Sequence, residues 1–131
     1  MNRPEPQNRD LFAIADLAKE FGISTRAIRF YEAKGLLTPE RVGATRVFRR
    51  RDRARLILIL RGKRLGFSLR DISEYLSLYD AHSQTAQVVM LTEMVDKRLA
   101  LLERQLTDLQ TTISELREIK KLAVERVAQS A

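Results

Sequence analysis

The sequence predicts a mainly α-helical chain, in which a small basic domain with a β-hairpin precedes one long C-terminal helix. Apolar residues recur at helical spacing over most of its length. The excess of positive charge is confined to the first part: residues 1–79 hold 17 of the 24 lysines and arginines against 9 acids, whereas residues 80–131 hold 7 against 8. A localised excess of this kind indicates a surface for a polyanion, because charge kept only for solubility would be spread along the chain.

The first helix follows a polar arm. Residues 1–10 carry two prolines and predict a disordered segment. After a short extended segment at Phe12, apolar residues from Ile14 to Phe21 repeat at the spacing of one helix face, and Gly22 is suited to end the helix because glycine tolerates positive φ.

The second helix is predicted from a capping residue. The Ser24 hydroxyl is suited to accept an amide of the first turn, and the helix runs from Thr25 through Glu32 to a stop at Gly35. Two short helices joined by a tight Gly-Ile-Ser turn form a helix-turn-helix.

A small hairpin and two further helices complete the domain, which we place at residues 11–79. Glu40–Val42 and Arg46–Phe48 flank a glycine-containing turn and predict a β-hairpin, the wing. The third helix is expected from about Arg51 to Leu65, with no Ser, Thr, Asp or Asn at its cap position, and the fourth from a Ser68 cap to about Leu78. The domain is therefore predicted to be a winged helix-turn-helix with four helices.

The long C-terminal helix is predicted at residues 87–127, between a linker at 80–86 and a tail at 128–131. It contains neither glycine nor proline. Because a single helix would leave its leucine stripe in water, we expect a coiled coil with a second copy of the chain. Seven apolar residues, which we call the seam, alternate steps of four and three: Val95, Leu99, Leu102, Leu106, Leu109, Ile113 and Leu116.

The second helix and the wing carry the strongest chemical signal. A helix fits the major groove of DNA, where an outward arginine reaches the O6 and N7 edge of guanine with two hydrogen bonds. Further cations and hydroxyls hold phosphates. The alternative is an exposed helix face with ordinary solvated charges. The predicted DNA-binding residues are Ser24, Thr25, Arg26, Arg29, Phe30, Tyr31, Lys34, Arg41, Arg46, Arg49, Arg50 and Arg51.

Arg49, Arg50 and Arg51 stand out because they break a local rule. They lie at a helix start, where the helix dipole favours acids, and only Asp52 offsets them. Residues that break such rules are often functional, so these arginines are interpreted as phosphate contacts. A plain solvated run is the alternative.

Composition excludes several classes of protein. With no cysteine, the chain has no disulfide, thiolate metal site or cysteine nucleophile. No nucleophile elbow, phosphate loop or paired carboxylate set is present, so no enzyme activity, cofactor or metal is predicted. No apolar run is long enough for a membrane span, and the first residues lack a signal-peptide pattern. We therefore expect a soluble cytoplasmic protein that does not contact a membrane.

The order of these motifs resembles the signature of the MerR family of regulators, over roughly residues 12–79. The resemblance implies a homodimer with antiparallel long helices. It would bind double-stranded DNA at a palindromic promoter element and distort the spacer that RNA polymerase must recognise, which makes polymerase a further partner. The matching segments are residues 14–18, 23–32, 35–37, 46–48 and 65–69.

The resemblance also implies residue roles. Thr25 and Arg26 would read bases, and backbone contacts would come from Arg29, Tyr31, Arg41 and Arg46. The chain departs from the family at two positions: Phe30 stands where tyrosine is common, and Arg49 stands where serine is usual.

Residues 57–69 and 78–80 resemble a narrower group that controls leucine, isovalerate and related acyl-CoA catabolism. This suggests an acyl-CoA or another small organic effector, in a pocket where the fourth helix meets the long helices of the dimer. The expected apolar lining is Tyr75, Tyr79, Met90 and Met94, with Arg61, Lys63, Arg64 and Arg70 available for phosphate groups. Ordinary packing and solvated charge, with no effector, remain the alternative.

Two other functions are compatible with the residues alone. One is an architectural, excisionase-like DNA-bending protein, which rarely needs a dimerisation helix of this length. The other is a coiled-coil adaptor with an incidental basic domain, which would bind DNA without sequence preference.

Overall fold

A computed structural model describes residues 10–80 and 84–130 of the chain, and all of the predicted arm at 1–10 except Asp10 lies outside that range. The chain forms two units that divide between Val88 and Val89. The elements in chain order are β1 (Leu11–Phe12), α1 (Ile14–Phe21), α2 (Thr25–Ala33), β2 (Glu40–Val42), β3 (Thr45–Arg49), α3 (Arg50–Leu65), α4 (Leu69–Asp80) and α5 (Gln84–Ser130).

α1 and α2 form the predicted helix-turn-helix. Gly22 follows α1 with a φ of 65°, in the left-handed region where glycine is favoured. Ser24 then caps α2, since its Oγ accepts a hydrogen bond of 3.0 Å from the Ala27 amide. Leu17 of α1 and Ile28 of α2 are fully buried against the same core.

The wing is part of a three-stranded antiparallel sheet of order β1-β3-β2. The hairpin of β2 and β3 matches the prediction, and the short extended segment expected at Phe12 forms β1, whose pairing with β3 was not predicted, with Phe12 opposite Phe48. Both phenylalanines are buried. The sheet is therefore attached to the core at this end, while Val42 at the other end of the hairpin is exposed.

As predicted, no Ser, Thr, Asp or Asn stands at the N-cap of α3, which is Arg49, but Asp52 three residues later does more than offset charge. The buried carboxylate of Asp52 accepts backbone N–H groups from Arg49, at 3.1 Å, and from Thr38, at 3.0 Å. It therefore satisfies an orphan donor of the helix start and ties the loop after α2 to α3. Arg55, one turn later, is also buried and donates to the Leu36 carbonyl at 2.7 Å.

The core of the N-terminal unit lies between α1, α2, the sheet, α3 and α4. α4 begins as predicted, with the Asp71 amide donating to Ser68 Oγ at 3.1 Å. α3 approaches α4 closely at Gly62, where an added Cβ would lie 2.9 Å from Ile72 Cγ1. The buried apolar residues are Phe12, Leu17, Ile28, Tyr31, Leu36, Leu37, Phe48, Leu56, Ile59, Ile72 and Leu76.

α5 is one uninterrupted helix of 47 residues. It begins at Gln84 rather than Gln87, so part of the predicted linker is helical, and it continues to Ser130 through most of the predicted tail. All seven seam residues are exposed, from 37% at Val95 to 60% at Leu109 and Leu116. An apolar stripe left in water along a long helix is typical of a surface that pairs with another helix. None of the described helices is long and apolar enough to cross a membrane.

Candidate nucleic-acid interface

The outer face of α2 combines cations with one aromatic ring. Arg26, Arg29, Phe30 and Ala33 are all exposed, and they fall on one side of a helix that turns by about 100° per residue. Within the described part of the chain, neither Arg26 nor Arg29 has an ion-pair partner. Both guanidinium groups are therefore available to an external acceptor.

The two aromatic residues of α2 differ in burial. Phe30 is 46% exposed, and the Lys34 ammonium lies 5.5 Å from its ring centroid. Tyr31 is only 7% exposed and packs edge-on against Phe30, with ring centroids 5.8 Å apart. Burial raises the pKa of the Tyr31 hydroxyl, because the ionised form is poorly solvated there. Tyr31 thus mainly packs the core, whereas Phe30 is open to a ligand.

The first two predicted contact residues lie at the start of α2. Ser24 uses its hydroxyl in the helix cap, so a contact with DNA would have to share that oxygen. Thr25 is half-buried.

The wing arginines meet an acid of α2. Arg41 and Arg46 are direct partners in the register of β2 and β3. Arg46 Nε donates to Glu32 Oε2 at 2.6 Å, and Arg41 Nη2 lies 3.5 Å from Glu32 Oε1. One carboxylate therefore connects the second helix of the helix-turn-helix to both strands of the wing.

Two arginines of the run, Arg49 and Arg50, pair with nearby acids rather than being only solvated. Arg49 makes a two-pronged contact with Glu40, at 2.9 and 3.0 Å. This contact holds the pKa of the Glu40 carboxyl below its ordinary value, first through the hydrogen bond and then through the charge. Arg50 Nε lies 3.2 Å from Asp10 Oδ1, and Arg51 is exposed.

The contacts made by the acids of this surface were not predicted from the sequence. Glu32 and Glu40 orient arginines that were predicted as phosphate contacts, and Asp52 fixes the backbone behind them. Glu32 lies 14 positions from Arg46 along the chain, so no local spacing rule links them. Of these acids, Asp52 was noted only as an offset to positive charge and Glu32 only as part of the family resemblance.

The predicted effector pocket involves residues of both units. Tyr75 of α4 is half-buried, and so are Met90 and Met94, which lie one turn apart on α5. The side chain of Tyr79 lies outside the described part of the structure. The pocket itself stays a prediction, since it requires both units together. Among the described residues, no group of three or more His, Asp or Glu side chains is arranged to hold a metal ion.

Family patterns match the chain in two overlapping segments. The pattern described as MerR HTH family regulatory protein matches residues 12–78, which contain the helix-turn-helix and the wing. The pattern described as MerR, DNA binding matches residues 53–119, from α3 well into α5.

Individual relatives agree with these patterns. The chain is 32% identical over 106 residues to the HTH-type transcriptional regulator CueR of Salmonella typhi, covering 79% of this chain and 75% of CueR. It is 34% identical over 116 residues to the mercuric resistance operon regulatory protein of Serratia marcescens, covering 84% and 77%. Among solved structures, HiNmlR, a MerR family regulator lacking the sensor domain and bound to promoter DNA, aligns with a TM-score of 0.52. Its identity is 29%, over 82% of this chain and 76% of that one.

Proposed function

Since this chain belongs to the MerR family of HTH transcriptional regulators, we propose that two copies bind an inverted repeat in a promoter and switch transcription by distorting the DNA. The single observation that carries the proposal is the exposed face of α2. There Arg26 and Arg29 have no ion-pair partner among the described residues, in the domain that holds the excess positive charge. The family's description as regulatory proteins favours this reading over the architectural alternative.

The residues of the interface divide by expected role. Arg26, with Thr25 beside it, reads base edges in the major groove, because arginine offers two parallel donors to guanine. Arg29 and Lys34 neutralise phosphates next to the groove. The wing and the start of α3 extend the backbone contacts through Arg41, Arg46, Arg49, Arg50 and Arg51.

The dimer is proposed to form through the seam of α5. Burying an exposed leucine stabilises an assembly by roughly 1.5–3 kcal/mol, so seven seam residues per chain represent a large free energy. Light scattering at micromolar concentration should give twice the chain mass. Leu102→Asp together with Leu109→Asp should give monomers, whereas Thr107→Asp with Thr111→Asp, on the opposite side of α5, should leave the dimer intact. An unchanged mass for the leucine variant would rule out the seam as the interface.

Binding to DNA is tested by selecting fragments from a random pool with the purified protein and sequencing them. The selected sequences should contain an inverted repeat. Arg26→Ala should relax the preference for the selected operator over scrambled DNA. Arg117→Ala removes one cation from α5 and should change neither affinity nor preference. If Arg26→Ala keeps the full preference, Arg26 does not read bases.

Distortion of the operator is tested with the selected duplex labelled at both ends. We expect the end-to-end distance from energy transfer to shorten when the protein binds. Transcription with RNA polymerase should then depend on the length of the promoter spacer. The protein would act in the cytoplasm, where promoter DNA is accessible to polymerase.

The proposal also includes a small organic molecule as the effector of the regulator. Because the chain has no cysteine, soft metal ions lack thiolate ligands here. The end of α3 exposes Arg61, Lys63 and Arg64, and Arg70 at the start of α4 is exposed as well. These cations suit a phosphate-rich molecule with an apolar end, such as an acyl-CoA. Titration of isovaleryl-CoA into the protein–operator complex should change DNA affinity, and free coenzyme A tests whether the acyl group is needed. If no acyl-CoA changes the affinity for DNA, acyl-CoA thioesters are not the effector.

A further inference from the structure

Glu32 is an acid on the surface that is expected to bind a polyanion. It is the only acidic residue of α2. Its carboxylate lies between the arginines of the wing, with Arg46 Nε at 2.6 Å and Arg41 Nη2 at 3.5 Å. By simple repulsion, a carboxylate in this place should weaken DNA binding. Its presence therefore requires an explanation in terms of what it does to the two arginines.

The register of the wing supplies part of the explanation. Arg41 and Arg46 are directly opposite each other on β2 and β3, and like charges in such a pair destabilise a hairpin. The carboxylate of Glu32 offsets this repulsion. It also restricts Arg46, because both partners of that contact are largely shielded from solvent, with side chains 24% and 20% exposed. Arg41 is 52% exposed and is the looser partner.

The rest of the explanation lies in which nitrogen of Arg46 contacts Glu32. Arg46 binds Glu32 through Nε, the guanidinium nitrogen nearest the side-chain stem. This leaves both terminal nitrogens outside the contact, and arginine binds phosphate well with a pair of parallel donors. A guanidinium held by its Nε loses less rotational freedom when a phosphate arrives than a mobile one does.

We propose that Glu32 is a positioning residue that fixes Arg46 between the second helix and the wing, so that its terminal nitrogens bind a DNA phosphate. The inference rests on the proposed function. According to this inference, Glu32 strengthens DNA binding, whereas a carboxylate that only repelled phosphates would weaken it. The sign of the effect on affinity is therefore decisive.

The test is Glu32→Gln, which keeps the size of the side chain and removes its charge. Affinity for the selected operator and for a scrambled duplex is measured by fluorescence anisotropy over a series of salt concentrations. Operator affinity should fall by about three- to tenfold, as for one lost hydrogen-bonded contact. The slope of log affinity against log salt should become shallower by about 0.9, the value for one phosphate. Tighter binding to both duplexes with a steeper slope would mean that Glu32 only repels DNA, and the proposal would fail.

A double-mutant cycle shows whether Glu32 acts through Arg46. In an Arg46→Ala background, Glu32→Gln should have no further effect on affinity or slope. Arg46→Lys should behave like Glu32→Gln, because lysine has no Nε to hold while other donors bind phosphate. A full effect of Glu32→Gln without Arg46 would contradict the proposed route.

The matched control is Glu20→Gln. Glu20 pairs with Arg53, and both side chains are 21% exposed, much as in the Glu32 contact. This variant should show a similar change in melting temperature and an unchanged salt slope. Equal slope changes in both variants would indicate a general loss of structure and overturn the proposal.

Two further measurements complete the test. Glu32→Asp retains the charge and shortens the side chain by one methylene, so it should reproduce the loss of affinity even if Glu32→Gln fails to fold. Wild-type affinity for Glu32→Asp would overturn the positioning role. A wild-type protein that prefers no DNA sequence would refute the proposed function itself, whereas a normal operator preference combined with an unaffected Glu32→Gln refutes only this inference.

Discussion

Asp52→Asn should destabilise the N-terminal unit strongly, although it exchanges side chains of nearly equal size. The carboxylate is buried and accepts the amides of Thr38 and Arg49, one on each oxygen. Asparagine offers one accepting oxygen, and its NH2 group would face the other amide as a second donor. A hydrogen bond to a charged acceptor contributes about 1.5–3 kcal/mol, and an unsatisfied buried donor costs a similar amount. We therefore expect the free energy of unfolding to fall by about 2–4 kcal/mol, a large share of the roughly 5–15 kcal/mol of a typical domain.

Urea unfolding followed by circular dichroism measures this loss. The protein concentration must be constant, because the stability of the proposed dimer would depend on it. Glu74→Gln is the control, since it also replaces a carboxylate by an amide, but in an exposed pair with Arg70 at 3.4 Å. Exposed pairs of this kind contribute about 0–1 kcal/mol. If Asp52→Asn lies within about 0.5 kcal/mol of the wild type, the two amides do not depend on the carboxylate, and the reasoning from hydrogen bonds is refuted.

Three further changes test other parts of the domain. Gly62→Ala should lower the free energy of unfolding by about 1–3 kcal/mol, as overpacking does, because the new Cβ would meet Ile72 at 2.9 Å; wild-type stability in urea would contradict this close approach. Ser24→Ala should cost about 1 kcal/mol through loss of the α2 cap, and an unchanged melting temperature would show that water replaces it. The pKa of Glu40, followed by NMR, should lie below its ordinary value and should return to that value in Arg49→Ala. Because the pKa of Glu40 is lower in the folded state, its ion pair stabilises the fold above the unfolded-state pKa. This stabilisation is lost as the pH falls through the folded-state pKa.

Features that depend only on residues close together in the chain could be predicted from the sequence. Gly22 and Ser24 place the turn of the helix-turn-helix because one tolerates positive φ and the other caps a helix from its own first turn. The same holds for Ser68 at the start of α4. The outward position of Arg26 and Arg29 follows from the period of the helix alone. These features require no knowledge of the rest of the fold.

Features that join distant segments were not predictable in this way. β1 has only two residues, too few for an alternating pattern, and it forms only because β3 passes beside it. Asp52 was recognised as an offset to positive charge, but its bond to Thr38, 14 positions away, depends on the path of the intervening loop. The contact of Glu32 with the wing has the same origin. Each depends on packing, which local patterns do not encode.

The attachment of the wing has a consequence for its mobility. Phe48, near the end of β3, is fully buried, whereas Val42 and the turn at Gly43 are exposed. Amide hydrogens at the buried end should therefore exchange with deuterium only when the domain opens widely, and those near the turn should exchange by local fraying. The hairpin is thus anchored in the core at one end, and its tip, the turn between β2 and β3, is free to bend. In the proposed complex, the tip would adjust to the curvature of the duplex, and substitutions there would change the fit to DNA at little cost to the stability of the fold.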